Sequence, residues 1–135
     1  MTTRDLLRNT LVTPSLFPAA RVNGTSTGAT VDLINYDGAM IAVTFGAYTD
    51  GTHTPSVLQS NDGTNFVACT YGTDLDAATN LTAVSSSGGA NTVQQIGYIG
   101  SMRYLAVVMT VTGATTGAVS SASVIGGYPH NGPTQ

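Results

Sequence analysis

The chain has 135 residues, of which 41% are hydrophobic and only 8% charged, about a third of the charge usual in a soluble domain. All of that charge is four arginines and seven aspartates, with no lysine and no glutamate. A net charge of −3 without a basic cluster argues against nucleic acid, because phosphate binding needs grouped Lys or Arg to release counterions. A polar surface of Thr, Ser, Asn, Gln and Gly is likewise poor in the acid and base groups of an enzyme, yet it can be buried against a neighbour at lower desolvation cost than ions.

At the N-terminus Arg4, Asp5 and Arg8 interrupt the sequence, so no secretory leader is expected there. No later stretch approaches the roughly 18 apolar residues of a membrane span. Residues 1–28 differ from the rest. Asp5 to Val12 has the spacing of one short helix with Leu6, Leu7 and Leu11 on a side, Pro14 and Pro18 stop it, and Asn23 to Gly28 reads as flexible loop. The segment is expected to be an extended arm. It folds back on its own domain as a strand or helix, or, the preferred reading, docks on another subunit through Leu6, Leu7, Leu11, Phe17 and Arg21.

From residue 29 to 128 the signal is β throughout. Val31 and Leu33 alternate with polar neighbours, Asp37-Gly38 turns the chain into Met40 to Tyr48, and Asp50-Gly51 punctuates again. Pro55 to Ser60 is joined to Asn65 to Thr70 by Asn61-Asp62-Gly63-Thr64, whose Asp-Gly suits a tight turn with positive φ at the glycine. Residues 71–91 read as loop with a short strand over 80–84, followed by strands over 92–98, 103–112 and 118–128. About seven strands with turn signals every eight to twelve residues predict an all-β fold, an antiparallel β-sandwich of jelly-roll or Ig-like type. The tail, 129–135, is expected to be loose or held by a partner. At this length one domain has core enough without disulfides or metal.

The chemistry-bearing residues are few. Thr49 to Pro55 gathers Asp50, Gly51, His53 and hydroxyls in one turn, but a catalytic triad needs groups from separate elements. A turn role is the simpler expectation: Asp50 binding backbone N–H groups, Gly51 supplying the backbone angle, Pro55 opening an edge strand. The lone Cys69, within Phe66-Val67-Ala68-Cys69, reads as a small buried hydrophobe. His53, His130 and Cys69 lack zinc spacing, Asp74 and Asp76 lack the pattern of a calcium loop, and no nucleotide-binding glycine motif occurs. No cofactor, no enzymatic activity and no small-molecule ligand are expected. Arg103, alone between Tyr98 and Tyr104, is expected to stack on a ring or pair with one aspartate inside the fold.

Four motifs in order, Asp50-Gly51-Thr52-His53-Thr54-Pro55, Ser60-Asn61-Asp62-Gly63, Gly97-Tyr98-Ile99-Gly100-Ser101-Met102-Arg103-Tyr104 and Gly113-Ala114-Thr115-Thr116-Gly117, resemble a family of small structural proteins encoded among the head genes of tailed bacteriophages. The likeness runs from about Val22 to His130. Phe66 replaces an aromatic that is often Trp, and Met102 a residue that is commonly basic. The resemblance implies a virion component, most concretely a cement or decoration protein on the capsid exterior. It would be assembled in the host bacterial cytoplasm, bind across major capsid protein subunits, and form a homotrimer at threefold junctions. The alternatives are a head-completion or tail/baseplate component, and a carbohydrate-binding display module using loop tyrosines such as Tyr48 and Tyr71. No nucleic acid or membrane partner is implied.

Overall fold

The computed structural model of the chain describes residues 6–76 and 80–129. Nine strands run through the described residues: β1 Thr10–Arg21, β2 Gly24–Thr27, β3 Val31–Asp32, β4 Tyr36–Tyr48, β5 Thr52–Ser60, β6 Val67–Ala68, β7 Thr92–Tyr98, β8 Tyr104–Thr112 and β9 Ala118–Pro129. They form two antiparallel sheets. Sheet A has the order β1-β9-β4-β7, and sheet B the order β2-β8-β5-β6, with β3 also on β8. Apart from the β5–β6 hairpin within sheet B, consecutive strand positions alternate between the sheets, with β2 and β3 together occupying one position. The order is therefore that of an eight-stranded jelly roll, the first of the two sandwich types expected.

The core is the seam between the sheets, built by alternation along each strand. From sheet A, Ile41, Val43, Phe45, Ile96 and Val124 point inward; from sheet B, Val57, Leu105, Val107, Met109 and Val111 meet them, all at 2% exposure or less. Burying one such side chain contributes about 1.5–3 kcal/mol. The strands expected over 40–48, 55–60, 92–98, 103–112 and 118–128 are all present. Gly63 takes φ +75 in the Asp-Gly turn, although only Leu58↔Ala68 and Gln59↔Val67 pair beyond it.

Over the described residues 6–28 the preferred reading, an arm separate from the sandwich, gives way to the other one, a strand folded back on its own domain; residues 1–5 lie outside the described residues. The chain between Leu6 and Thr10 is a turn closed by the Asn9 N–H on the Leu6 carbonyl, not a helix. From Thr10 onward β1 pairs with β9, Thr10↔Gly127 through Arg21↔Ala118, and Asn23–Gly28, expected as loop, contains β2 paired with β8. The supposed arm is thus the first strand of the roll, and the sandwich starts well before residue 29. The prolines fit because β1 lies at the sheet edge, where Pro forfeits no ladder bond, and because register shifts occur at Pro14/Leu16 and Leu16/Ala19.

The first of these bulges has a purpose visible in sheet B. Between β2 and β3 the outer side of β8 loses its strand partner, which orphans the peptide of Val107. The bulge turns Ser15 inward to 1% exposure, where its hydroxyl accepts from the Val107 N–H at 3.0 Å and donates to the Ala29 carbonyl at 2.8 Å. The Gly28 N–H takes the Val107 carbonyl at 2.8 Å. A Cβ on Gly28 would lie 2.4 Å from the Ser15 Oγ, so only glycine fits. The second bulge is held by Arg21, whose guanidinium donates to the Phe17 carbonyl at 2.8 Å and to Ser120 through both its carbonyl and its hydroxyl.

Candidate functional site

The turn motifs lock the roll. The Asp50 carboxylate reaches across to the loop after β8, accepting N–H bonds from Thr115 at 3.0 Å, Thr116 at 3.2 Å and Gly117 at 2.6 Å; those bonds hold its pKa below the usual carboxylate range. His53 is fully buried, with Nε2 3.0 Å from the Asp50 carbonyl and its ring edge against Tyr48. The His53 Nδ1 has no hydrogen-bond partner, so the imidazole is not aligned on a hydroxyl as a base would be. Pro55 sits where β5 turns its backbone away from β8, between the His53 and Val57 peptides that bond Val84 and Cys69, so its missing N–H costs nothing.

Asp62 accepts from the Thr64 and Asn65 N–H groups and the Ser60 hydroxyl, which lowers its pKa strongly. Tyr98 is buried; its hydroxyl donates to the Gln59 Oε1 at 2.8 Å and accepts from the Met102 N–H at 2.9 Å. The loop 99–102 wraps its ring so closely that a Cβ on Gly100 would lie 2.6 Å from the phenol oxygen. Arg103 takes the internal role expected of it: a two-pronged pair with Asp32, both bonds 2.8 Å, and a position 4.9 Å over the Tyr104 ring. Asp32 belongs to β3 and Tyr104 to β8, so the cluster pins the short strand.

The remaining candidates are also occupied by structure. Asp74 Oδ2 accepts from the Thr70 N–H. Cys69 is only partly buried, packs against the core, and is pushed by burial up to about 12, so it is a poor thiolate. Tyr48 donates its hydroxyl to the Gly51 carbonyl at 2.7 Å, which ties it to the Asp50-Gly51 turn. Among the described residues no three His, Cys, Asp or Glu side chains converge on one point, and no helix is long and apolar enough to cross a membrane; His130 and the tail 130–135 lie outside the described residues.

What stands exposed among the described residues is two sheet faces poor in charge. Cross-strand register places Thr10, Val12 and Pro14 of β1 beside Gly127, Ile125 and Ser123 of β9, and these beside Gly38, Met40 and Ala42 of β4; Gly97, Gln95 and Val93 of β7 complete the row. None is ionisable. At one end the glycines leave a hollow of about 670 Å³, lined by Leu6, Met40, Ile99, Ile125 and Tyr128 with Gly38, Gly97 and Gly127. The outer face of sheet B carries hydroxyls instead, with Thr25, Thr110 and Thr54 in one cross-strand row and Thr27, Val108 and Ser56 in the next; the Asp32–Arg103 ion pair stands at one end.

Of the residues expected as arm contacts, Leu6 stands at the rim of this hollow, Leu7 and Phe17 are exposed, Leu11 is partly exposed opposite Gly126, and Arg21 is spent within the fold. Sequence reasoning passed over Tyr128 and the glycine floor, whose only signal was Gly126-Gly127-Tyr128 at a strand end.

The free edges of the sheets are closed by other means. The β7 edge is covered where the Asp76 N–H bonds the Gly97 carbonyl and where the Gln94 amide bonds both the N–H and the carbonyl of Thr82, at 2.8 and 3.0 Å. The β1 edge is broken by two prolines and two bulges, and β6 has only two residues. Edges treated this way resist strand addition, which leaves the faces for contact.

No protein-family model and no curated protein sequence matches the chain. Among solved structures, a chain of the infectious bursal disease virus Gx strain is similar over 89% of this chain at 14% identity, with a TM-score of 0.44. This chain spans 34% of that one, about a third of its length.

Proposed function

We propose that the protein is a non-enzymatic structural component of a virion, specifically a decoration or cement protein that lies across major capsid protein subunits on the outside of a phage head. The observation that carries this reading is the pairing of closed edges with two broad faces poor in charge. Such faces shed water at little cost and bind by area: each 100 Å² of apolar surface removed from water is worth about 2.5 kcal/mol before association costs. The hydroxyl rows of sheet B can exchange water for backbone groups of an underlying shell, and many copies share the load of packaged DNA. The ordered motif resemblance supports the same reading. The jelly roll, which serves capsids and lectins alike, supports it only by analogy.

Quantitative mass spectrometry of purified virions tests it. Near parity with the major capsid subunit is the expected result. About a dozen copies or fewer, the number a single ring supplies, would move the protein to the head-completion or tail position, and absence from the particle would end the virion reading.

A further inference from the structure

The end of sheet A carries a conformation that its own fold does not use. Tyr128 has φ +53, the left-handed region that bulky side chains avoid. This turn of the backbone lays the ring on the outer face, over Gly38, where a Cβ would meet the Tyr128 Cδ2 at 2.8 Å. The ring nevertheless stays 79% exposed, as do Leu6 at 71% and Ile99 at 57% across the hollow. A strained aromatic knob stands beside an apolar, glycine-floored depression on the same face.

We propose that this face is the docking site of a second copy of the chain, the two copies packing sheet A against sheet A about a two-fold axis, with Tyr128 of each entering the hollow of the other. Three observations select a copy of itself as the occupant. Knob and hollow lie side by side, which is what an isologous contact requires. Among the described residues the strand rows of this face hold no ionisable group, and the Asp76 side chain stands at its β7 border beside Gly97, so over most of their area two identical faces meet without like-charge repulsion. The area also suffices: strands of 12, 12, 13 and 7 residues, at about 3.4 Å rise and about 4.8 Å spacing, cover roughly 700 Å² in plan, close to the roughly 800 Å² per partner of a standard interface. The pairing is two-fold rather than the threefold ring anticipated from the sequence. It stands independently of the virion reading, which the copy-number measurement decides separately.

The test is the solution mass of the purified full-length chain by light scattering and sedimentation, for the natural protein and two variants. Gly127→Asp places a carboxylate in the hollow at a position where an added Cβ meets nothing within 4 Å. Tyr128→Gly removes the knob while accepting the positive φ. The natural chain should have twice the mass of one copy, and both variants should be monomers at the same concentration, with an intact fold shown by cooperative melting. A monomeric natural chain, or an oligomer that both folded variants leave unchanged, overturns the proposal. A trimer dissolved by both variants would keep the face and overturn the two-fold arrangement.

Discussion

Ser15→Ala removes one oxygen from a site that water does not reach. The Val107 N–H and the Ala29 carbonyl each lose their partner, and a buried donor left unmade costs about 1–3 kcal/mol. With the shallow void where the oxygen sat and a carbonyl less demanding than an N–H, the expected loss is about 2–3 kcal/mol. At roughly 2.1 cal/mol/K of unfolding entropy per residue, 135 residues give about 3.5 °C per kcal/mol, so Tm should fall by about 7–11 °C. Urea titration at constant m reads the free energy, and amide exchange reads the site: the Val107 amide should lose protection more than its neighbours. Ser123→Ala on the outer face of sheet A is the control, expected within about 0.5 kcal/mol. If Ser15→Ala also fell within that limit, with the Val107 amide still protected, the inference that β1 completes the hydrogen bonding of sheet B would be wrong.

Other perturbations address other joints. Gly117→Ala should cost at least about 2 kcal/mol by urea titration, because φ is +82 and the Cβ would collide with the Arg21 carbonyl; Gly63→Ala, also at positive φ but with its nearest contact an ordinary 3.5 Å from the Tyr104 ring, should cost only about 1 kcal/mol. Deleting residues 1–21 should abolish cooperative melting and near-UV circular dichroism, whereas a sandwich that stays folded would restore the detachable arm. Asp50, Asp62 and Asp32 all have folded pKa values lowered by hydrogen bonds; their contribution is present above the unfolded value of about 3.9 and is lost as pH falls toward the folded values. The Tm should therefore drop below about pH 4, and Asp50→Asn should lower the neutral-pH Tm while flattening that acid limb.

The middle and end of the roll were legible because their strands bury one face each: the alternation of Ile41, Val43 and Phe45 and the Asp62-Gly63 turn are local signals. β1 was not, since Pro14 and Pro18 speak against a strand unless the strand is at an edge and bulged, and that depends on its distant partner β9. β2 was hidden for a similar reason: Gly24-Thr25-Ser26-Thr27 has loop composition and becomes a strand only because β8 offers a ladder. The role of Arg103 was readable from its isolation among aromatics. The faces poor in charge were implicit in composition, but which residues share a face follows from register, and the position of Tyr128 follows from a single backbone angle that no periodicity announces.

The pairing of Thr10 with Gly127 joins strands from opposite ends of the described residues. Sheet A cannot close until β9 has been made, and Val107 keeps an open amide until β1 returns to cover it. Folding is thus governed by long-range closure, which is slow. During that wait the sparing use of charge offers little protection against premature association.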